Sequence, residues 1–84
     1  MRQAYKERMV DIMRKFEEGK RYLAKLSGEV RGEVKIIKRT AKRATIEYWG
    51  SQKTIAIKEK KDKDGYMSEY LFIMWEGVFA SDVA

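Results

Sequence analysis

The residues of this sequence best suited to chemistry are its cations. Five Lys or Arg side chains and no acidic residue lie between Val34 and Ile46. They are Lys35, Lys38, Arg39, Lys42 and Arg43. On a short β-hairpin these charges would lie within roughly one Debye length of each other, about 8 Å at physiological salt, so their potentials would add. Such a cluster predicts a site for phosphate groups.

The charge of the whole chain is uneven as well. The 84 residues include 19 Lys and Arg against 13 Asp and Glu, a net charge of +6. Residues 1–63 hold all 19 bases and nine acids, a net +10, whereas residues 64–84 hold four acids and no base, a net −4. A basic segment of this kind favours an anionic partner.

The composition excludes most catalytic chemistry. His and Cys are both absent, which removes disulfides, thiolate nucleophiles, the usual zinc sites and imidazole proton transfer. Asp62, Asp64 and Gly65 resemble the middle of a calcium-binding loop. Lys60 and Leu71, however, occupy the two positions of that loop where carboxylates are required. We expect no catalytic residue, no metal and no cofactor; a small ribonuclease that uses Lys, Arg, Glu and Tyr is the remaining enzymatic alternative.

A predicted helix precedes the β-hairpin that would carry these cations. Between Tyr5 and Leu26, apolar residues recur at steps of three and four, which is the period of one face of an α-helix. Gly19 replaces one apolar residue of the series, and Ser27 with Gly28 would end the helix. We expect residues 1–27 to be helical, and a homodimer through this helix is one expected assembly.

After Gly28 the apolar period changes from 3.6 to 2, which predicts strands. We place them at residues 33–39, 44–49, 53–60 and 66–75. Turn residues such as Gly50 and Gly65 separate them. The expected fold is α+β: a long N-terminal helix packed on a four-stranded antiparallel β-meander (28–75), with a C-terminal tail (76–84), all in a single domain 1–84. A short helix capped by Ser68 is the alternative for the last part of the sheet.

Strand alternation assigns the predicted cations to one surface. If Ile46, Ile55 and Ile57 face the helix, the opposite face carries Ile37 and Trp49 together with five cations, Lys35, Arg39, Arg43, Lys58 and Lys60. Lys38 and Lys42 join them from the basic hairpin. The complete predicted nucleic-acid site is Lys35, Lys38, Arg39, Lys42, Arg43, Trp49, Lys58 and Lys60. Cations around an exposed aromatic ring are typical of surfaces that meet a phosphate backbone and an unstacked base. A shift of the register by one residue would reverse the two faces.

These features predict a non-catalytic module that binds DNA or RNA without base specificity. The alternative is a protein-interaction module, because an exposed Trp also marks protein contacts. Exposed Lys and Arg can also do no more than keep a sheet soluble. The longest apolar run, Tyr70 to Trp75, has six residues, so we expect no membrane span, no export signal and a cytoplasmic location.

The run from Ile36 to Ile46 carries a Lys-Arg-Thr-x-Lys-x-x-Thr-Ile core. It is followed by Ile57 and Lys58, then by Gly65, Glu69 and Tyr70, and finally by Val78, Phe79 and Ala80. Over residues 34–82 this pattern resembles small uncharacterised proteins of phages and other mobile elements. The resemblance implies a mobile-element context and no particular activity.

Overall fold

The computed structural model describes residues 13–84, and this part of the chain is all β. Its seven strands are β1 (Arg21–Leu26), β2 (Glu29–Arg39), β3 (Arg43–Tyr48), β4 (Ser51–Ala56), β5 (Lys58–Lys61), β6 (Met67–Ile73) and β7 (Glu76–Val83). Between residues 13 and 84 there is no helix long and apolar enough to cross a membrane.

The strands form one antiparallel sheet in the order β4-β3-β2-β1-β7-β6-β5. Most strands pair with their neighbours along the chain, and the pairing of β1 with β7 joins the two halves. The edge strands β4 and β5 are consecutive in sequence and are separated only by Ile57. Because one residue connects the two edges, the sheet has to curl, and its inner face encloses the core.

Tight turns explain why this sequence forms hairpins. Two residues, Ser27 and Gly28, connect β1 to β2 with φ angles of 54° and 85°. Trp49 and Gly50 connect β3 to β4 with φ angles of 53° and 77°. Two consecutive residues with positive φ form the turn whose twist matches that of antiparallel strands.

The core lies on the inner face of the curled sheet. Its buried apolar residues are Phe16, Tyr22, Ala24, Val34, Ile36, Ala44, Ile46, Tyr48, Leu71, Ile73, Val78 and Ala80. Ile55 and Ile57 are partly buried against them, so these two residues and Ile46 face the core as the alternation predicted. Phe16 precedes β1 and packs edge-on against Tyr22, with ring centroids 4.9 Å apart.

The prediction of an α+β fold with a helix over residues 1–27 is wrong for the described residues. The segment 21–26 is strand β1, and residues 1–12 lie outside the described part. Two observations explain the difference. Gly19 has a φ of 87°, which interrupts a helix, and β1 lies between β2 and β7, whose hydrogen-bonding groups it satisfies. The structure therefore gives no support to a homodimer through such a helix.

Two further predictions are corrected in the second half of the chain. The single strand expected at 53–60 is divided at Ile57, whose N–H donates to the carbonyl oxygen of Lys42 at 2.8 Å. The expected tail, 76–84, contains β7, which lies between β1 and β6. The strands expected at 33–39, 44–49 and 66–75 correspond to β2, β3 and β6.

Candidate functional site

A β-bulge at Ile37 changes the direction of the predicted site residues on β2. Ile36 is opposite Ile46, but Lys38, not Ile37, is opposite Thr45. The extra residue leaves Lys38 on the outer face and turns Arg39 towards the inner face, where it is opposite the buried Ala44. The prediction that Arg39 points outwards is therefore wrong, because it assumed uninterrupted alternation.

Arg39 is bound within the protein and is not available to a phosphate. Its guanidinium forms a bidentate ion pair with Glu69, with N–O distances of 2.6 and 2.9 Å. The same group donates to the carbonyl oxygen of Phe16 at 2.8 Å and to that of Thr40 at 3.1 Å. The hydrogen bond to Glu69 raises the pKa of Arg39, although desolvation acts in the opposite direction. Arg39 therefore contributes to the folded structure.

The loop between β2 and β3 is held in place next to the edge strands. The hydroxyl oxygen of Thr40 accepts hydrogen bonds from the N–H groups of Lys42 and Arg43, at 3.4 and 3.1 Å. The carbonyl oxygen of Lys42 accepts from the N–H of Ile57. The tip of this hairpin is thus fixed beside the start of β5, which begins at Lys58.

Five exposed cations lie on the strands and the loop that meet near this point, and we call this group the cationic strip. Its members are Lys38, Lys42, Arg43, Lys58 and Lys60. All five are exposed, and within residues 13–84 none of them forms an ion pair. The strip crosses from β2 and β3 to β5 through the residue that connects the two edges of the sheet.

Next to the cationic strip, the outer face of β6 and β7 carries a groove lined by aromatic rings, which we call the aromatic groove. The rings belong to Tyr70, Phe72, Trp75 and Phe79. The groove has a volume of about 520 Å³. The Nζ of Lys60 lies 4.7 Å from the centre of the Tyr70 ring, a cation–π contact that joins the strip to the groove.

A glycine allows the tyrosine ring to occupy the groove. Tyr70 is opposite Phe79, and their ring centroids are 4.8 Å apart. The Tyr70 ring also extends over Gly77: a Cβ atom there would lie 2.5 Å from the Tyr70 hydroxyl oxygen. The absence of a side chain at residue 77 therefore leaves the space that the Tyr70 ring occupies.

Charged residues of both signs line the rest of the aromatic groove. They include Arg14, Lys25, Asp62, Lys63, Asp64 and Asp82. Lys25 and Asp82 form an ion pair at 3.3 Å. Asp62 accepts hydrogen bonds from the N–H groups of Asp64 and Tyr66. Desolvation raises the pKa of Asp62, but the hydrogen bonds together lower it by a larger amount, so the net pKa is below the usual value. The Asp62 carboxylate therefore holds the turn that forms one wall of the groove.

Trp49 is exposed, but it lies away from the cationic strip. It belongs to the turn after β3, whereas Arg43 begins that strand, so the two are roughly 20 Å apart along an extended chain. Trp49 instead shares a cleft of about 300 Å³ with Met74, at the end of the sheet. The floor of this end is formed by Tyr48, whose hydroxyl donates to Glu76.

Of the eight predicted site residues, the structure brings together the five members of the cationic strip. Lys35 also lies on the outer face, but it is only partly exposed, and its cross-strand neighbour is the acidic Glu47. Arg39 points to the core and Trp49 lies at the far end of β3. The aromatic groove was missed by sequence reasoning. The alternation of Tyr70 and Phe72 with the apolar Leu71 and Ile73 was the signal that indicated it.

The chain matches no protein-family model, no curated protein and no solved structure.

Proposed function

We propose that this protein is a non-catalytic nucleic-acid-binding module that contacts the phosphate backbone through the cationic strip. The observation that carries the proposal is the grouping of five exposed cations, none of them ion-paired within residues 13–84, on one surface. The four ion pairs in this part of the chain involve other basic residues.

The position of the strip argues against a role in solubility alone. Lysines that protect an edge strand need only to be exposed along that edge. Here the cations of the hairpin tip are held beside the cations of β5 by the Lys42–Ile57 hydrogen bond. Concentrating like charges costs free energy, and a phosphate backbone that neutralises them recovers it. Lys and Arg contacts to phosphates give affinity without reading base sequence, so we expect binding without sequence preference.

The proposal is tested by the salt dependence of binding to a labelled oligonucleotide. For each phosphate neutralised, the slope of log K against log salt changes by about −0.9 on a duplex and about −0.7 on a single strand. In the triple variant Lys42→Ala, Arg43→Ala, Lys58→Ala, the slope should therefore become less negative by about 2 to 3 units. A slope of smaller magnitude in this variant supports binding through the cationic strip.

A charge-matched control separates the strip from the net charge. The control variant carries Lys20→Ala, Arg31→Ala and Lys53→Ala, which also removes three exposed cations but none from the strip. Its slope should change by less than about one unit. Equal losses in the two triple variants, or no measurable binding of the wild type, would contradict the proposal.

A second candidate function is a protein contact at the end of the sheet. Trp49 is 77% exposed and shares a cleft with Met74, which is also exposed. Large exposed apolar side chains at one place are typical of protein interfaces. This function would require a partner whose affinity falls with Trp49→Ala but is nearly independent of salt, as measured by calorimetry over a salt series.

A further inference from the structure

We infer that the aromatic groove receives unstacked bases, so that the protein prefers single-stranded nucleic acid to duplex. The inference rests on the proposed function and adds a substrate class to it. Every base has a π-face that can stack on an aromatic side chain, and such stacking tolerates any sequence.

The first support is the exposure of the rings. Trp75 is 77% exposed and Phe72 is 51% exposed, although both line a groove rather than a flat surface. The volume of the groove, about 520 Å³, lies within the range of small-molecule binding sites. Two large rings open to solvent inside a concavity are available for stacking.

The second support is the spacing of the rings along β6. Tyr70 and Phe72 are alternate residues on the same face of a strand, so they lie about 6.8 Å apart. Bases in a duplex are spaced at about 3.4 Å along each strand. Rings at twice that spacing suit a strand whose bases have separated from one another.

The third support is the arrangement of charge around the groove. The cationic strip approaches the groove at Lys60, whose ammonium group lies over the Tyr70 ring. The turn after β5 adds Asp62, Lys63 and Asp64 to the lining, so this part of the groove carries both signs of charge. A phosphate is attracted to Lys60 and its neighbours in the strip, so a strand whose backbone lies on the strip can direct its bases into the adjacent groove.

A duplex can use only part of this surface. Its bases are paired and stacked, so it presents phosphates to the cationic strip and no free base to Phe72 or Trp75. Single strands should therefore bind more tightly than duplexes of the same length, by about tenfold or more for one stacked base.

The experiment uses the fluorescence of Trp75 in the full chain. The sequence has two Trp residues, so Trp49→Phe leaves Trp75 as the single reporter. This variant is titrated with oligodeoxythymidylate, with oligouridylate and with a blunt duplex, each of about 12 nucleotides, a length in the range that one small β module covers. We expect quenching of Trp75 by at least one single strand and little change with the duplex.

Affinity measurements on substituted chains complete the test. Phe72→Ala combined with Trp75→Ala should weaken single-strand binding at least tenfold and duplex binding less than twofold. Phe72→Leu keeps an apolar side chain, removes only the ring, and should weaken single-strand binding alone. The matched control is Met74→Ala, which removes an exposed apolar side chain adjacent to Trp75 but outside the groove.

The outcomes separate this inference from the proposed function. If single strand and duplex bind equally, or if the Phe72 and Trp75 substitutions have no effect, the groove does not receive bases and the strip alone explains binding. If neither form binds the wild-type chain, the proposed function fails and the inference fails with it.

Discussion

Arg39 and Glu69 form a bidentate ion pair that joins β2 to β6 across the inner side of the curled sheet. Only 18% of the Arg39 side chain and 5% of the Glu69 side chain are exposed. Glu69 also accepts a hydrogen bond from the N–H of Phe16 at 2.7 Å. The pair thus holds together three parts of the chain that are distant in sequence.

The first prediction is that Arg39→Ala destabilises the fold strongly. The substitution leaves the buried Glu69 carboxylate without its cation, which costs about 3–5 kcal/mol of unfolding free energy. Urea unfolding followed by circular dichroism measures the change. Lys38→Ala, one residue away on the outer face, is the control and should change stability by less than about 0.5 kcal/mol. Similar stability of the two variants would show that the ion pair is not needed.

The second prediction separates two cations that the sequence alone treats as equivalent. Arg43→Ala should make the slope of log K against log salt for duplex binding less negative by about 0.9, because Arg43 belongs to the cationic strip. Lys35→Ala should change it much less, since Lys35 is opposite Glu47 on β3. Both slopes are obtained from fluorescence anisotropy over a salt series. A larger effect of Lys35 than of Arg43 would contradict the assignment of Arg43, rather than Lys35, to the binding surface.

The third prediction concerns the position of the Tyr70 ring. Gly77→Ala places a methyl group where the ring now lies, and the ring has to move because the new Cβ atom would lie 2.5 Å from its hydroxyl oxygen. The backbone of Gly77 does not have a positive φ, so the effect is steric. We expect a loss of about 1–3 kcal/mol and a changed near-ultraviolet circular dichroism spectrum. Tyr70→Leu combined with Gly77→Ala should recover part of the stability; a double variant weaker than either single one would contradict this explanation.

The fourth prediction is a pH dependence that involves Tyr48. Desolvation, followed by the hydrogen bond to Glu76, raises the pKa of Tyr48 above 10.0. The folded state therefore keeps this proton at a pH where the unfolded chain releases it. The resulting stabilisation is complete below pH 10 and is lost as the pH rises through the folded pKa.

Tyr48→Phe removes both the hydrogen bond and this titration. At neutral pH the variant should be less stable by about 1–2 kcal/mol. Above pH 10 the wild type should lose stability more steeply than the variant, and the two curves should converge. Urea midpoints between pH 7 and pH 11 test this, and parallel curves would show that Tyr48 does not contribute.

Several strands could be predicted from the sequence because they depend on local pattern. The alternation of Ala44, Ile46 and Tyr48 with polar residues defines β3, and these three residues are buried. The Asp64–Gly65 turn was predicted from residue type alone, and a turn does connect β5 to β6. Local signals were sufficient for β2, β3 and β6, but not for β1 and β7, although these two also pair with neighbours in the chain.

The helix and the direction of Arg39 could not be obtained in that way. Ser27 and Gly28 suit both the end of a helix and a hairpin turn, because both need positive φ. The choice between them depends on β7, about fifty residues later, which pairs with β1. Likewise the bulge at Ile37 has no local signature, although the buried acceptor at Glu69 explains why Arg39 turns inwards.

The single-residue connection at Ile57 brings the two edge strands of the sheet together, and this affects how a ligand can bind. Lys42 and Arg43 lie at the start of β3, next to the edge strand β4, whereas Lys58 and Lys60 lie on the opposite edge strand, β5. A flattened sheet would place these two groups far apart. A polyanion that contacts both groups of cations would hold the two edges of the sheet together. Binding and closure of the sheet would then be thermodynamically linked, so that each favours the other.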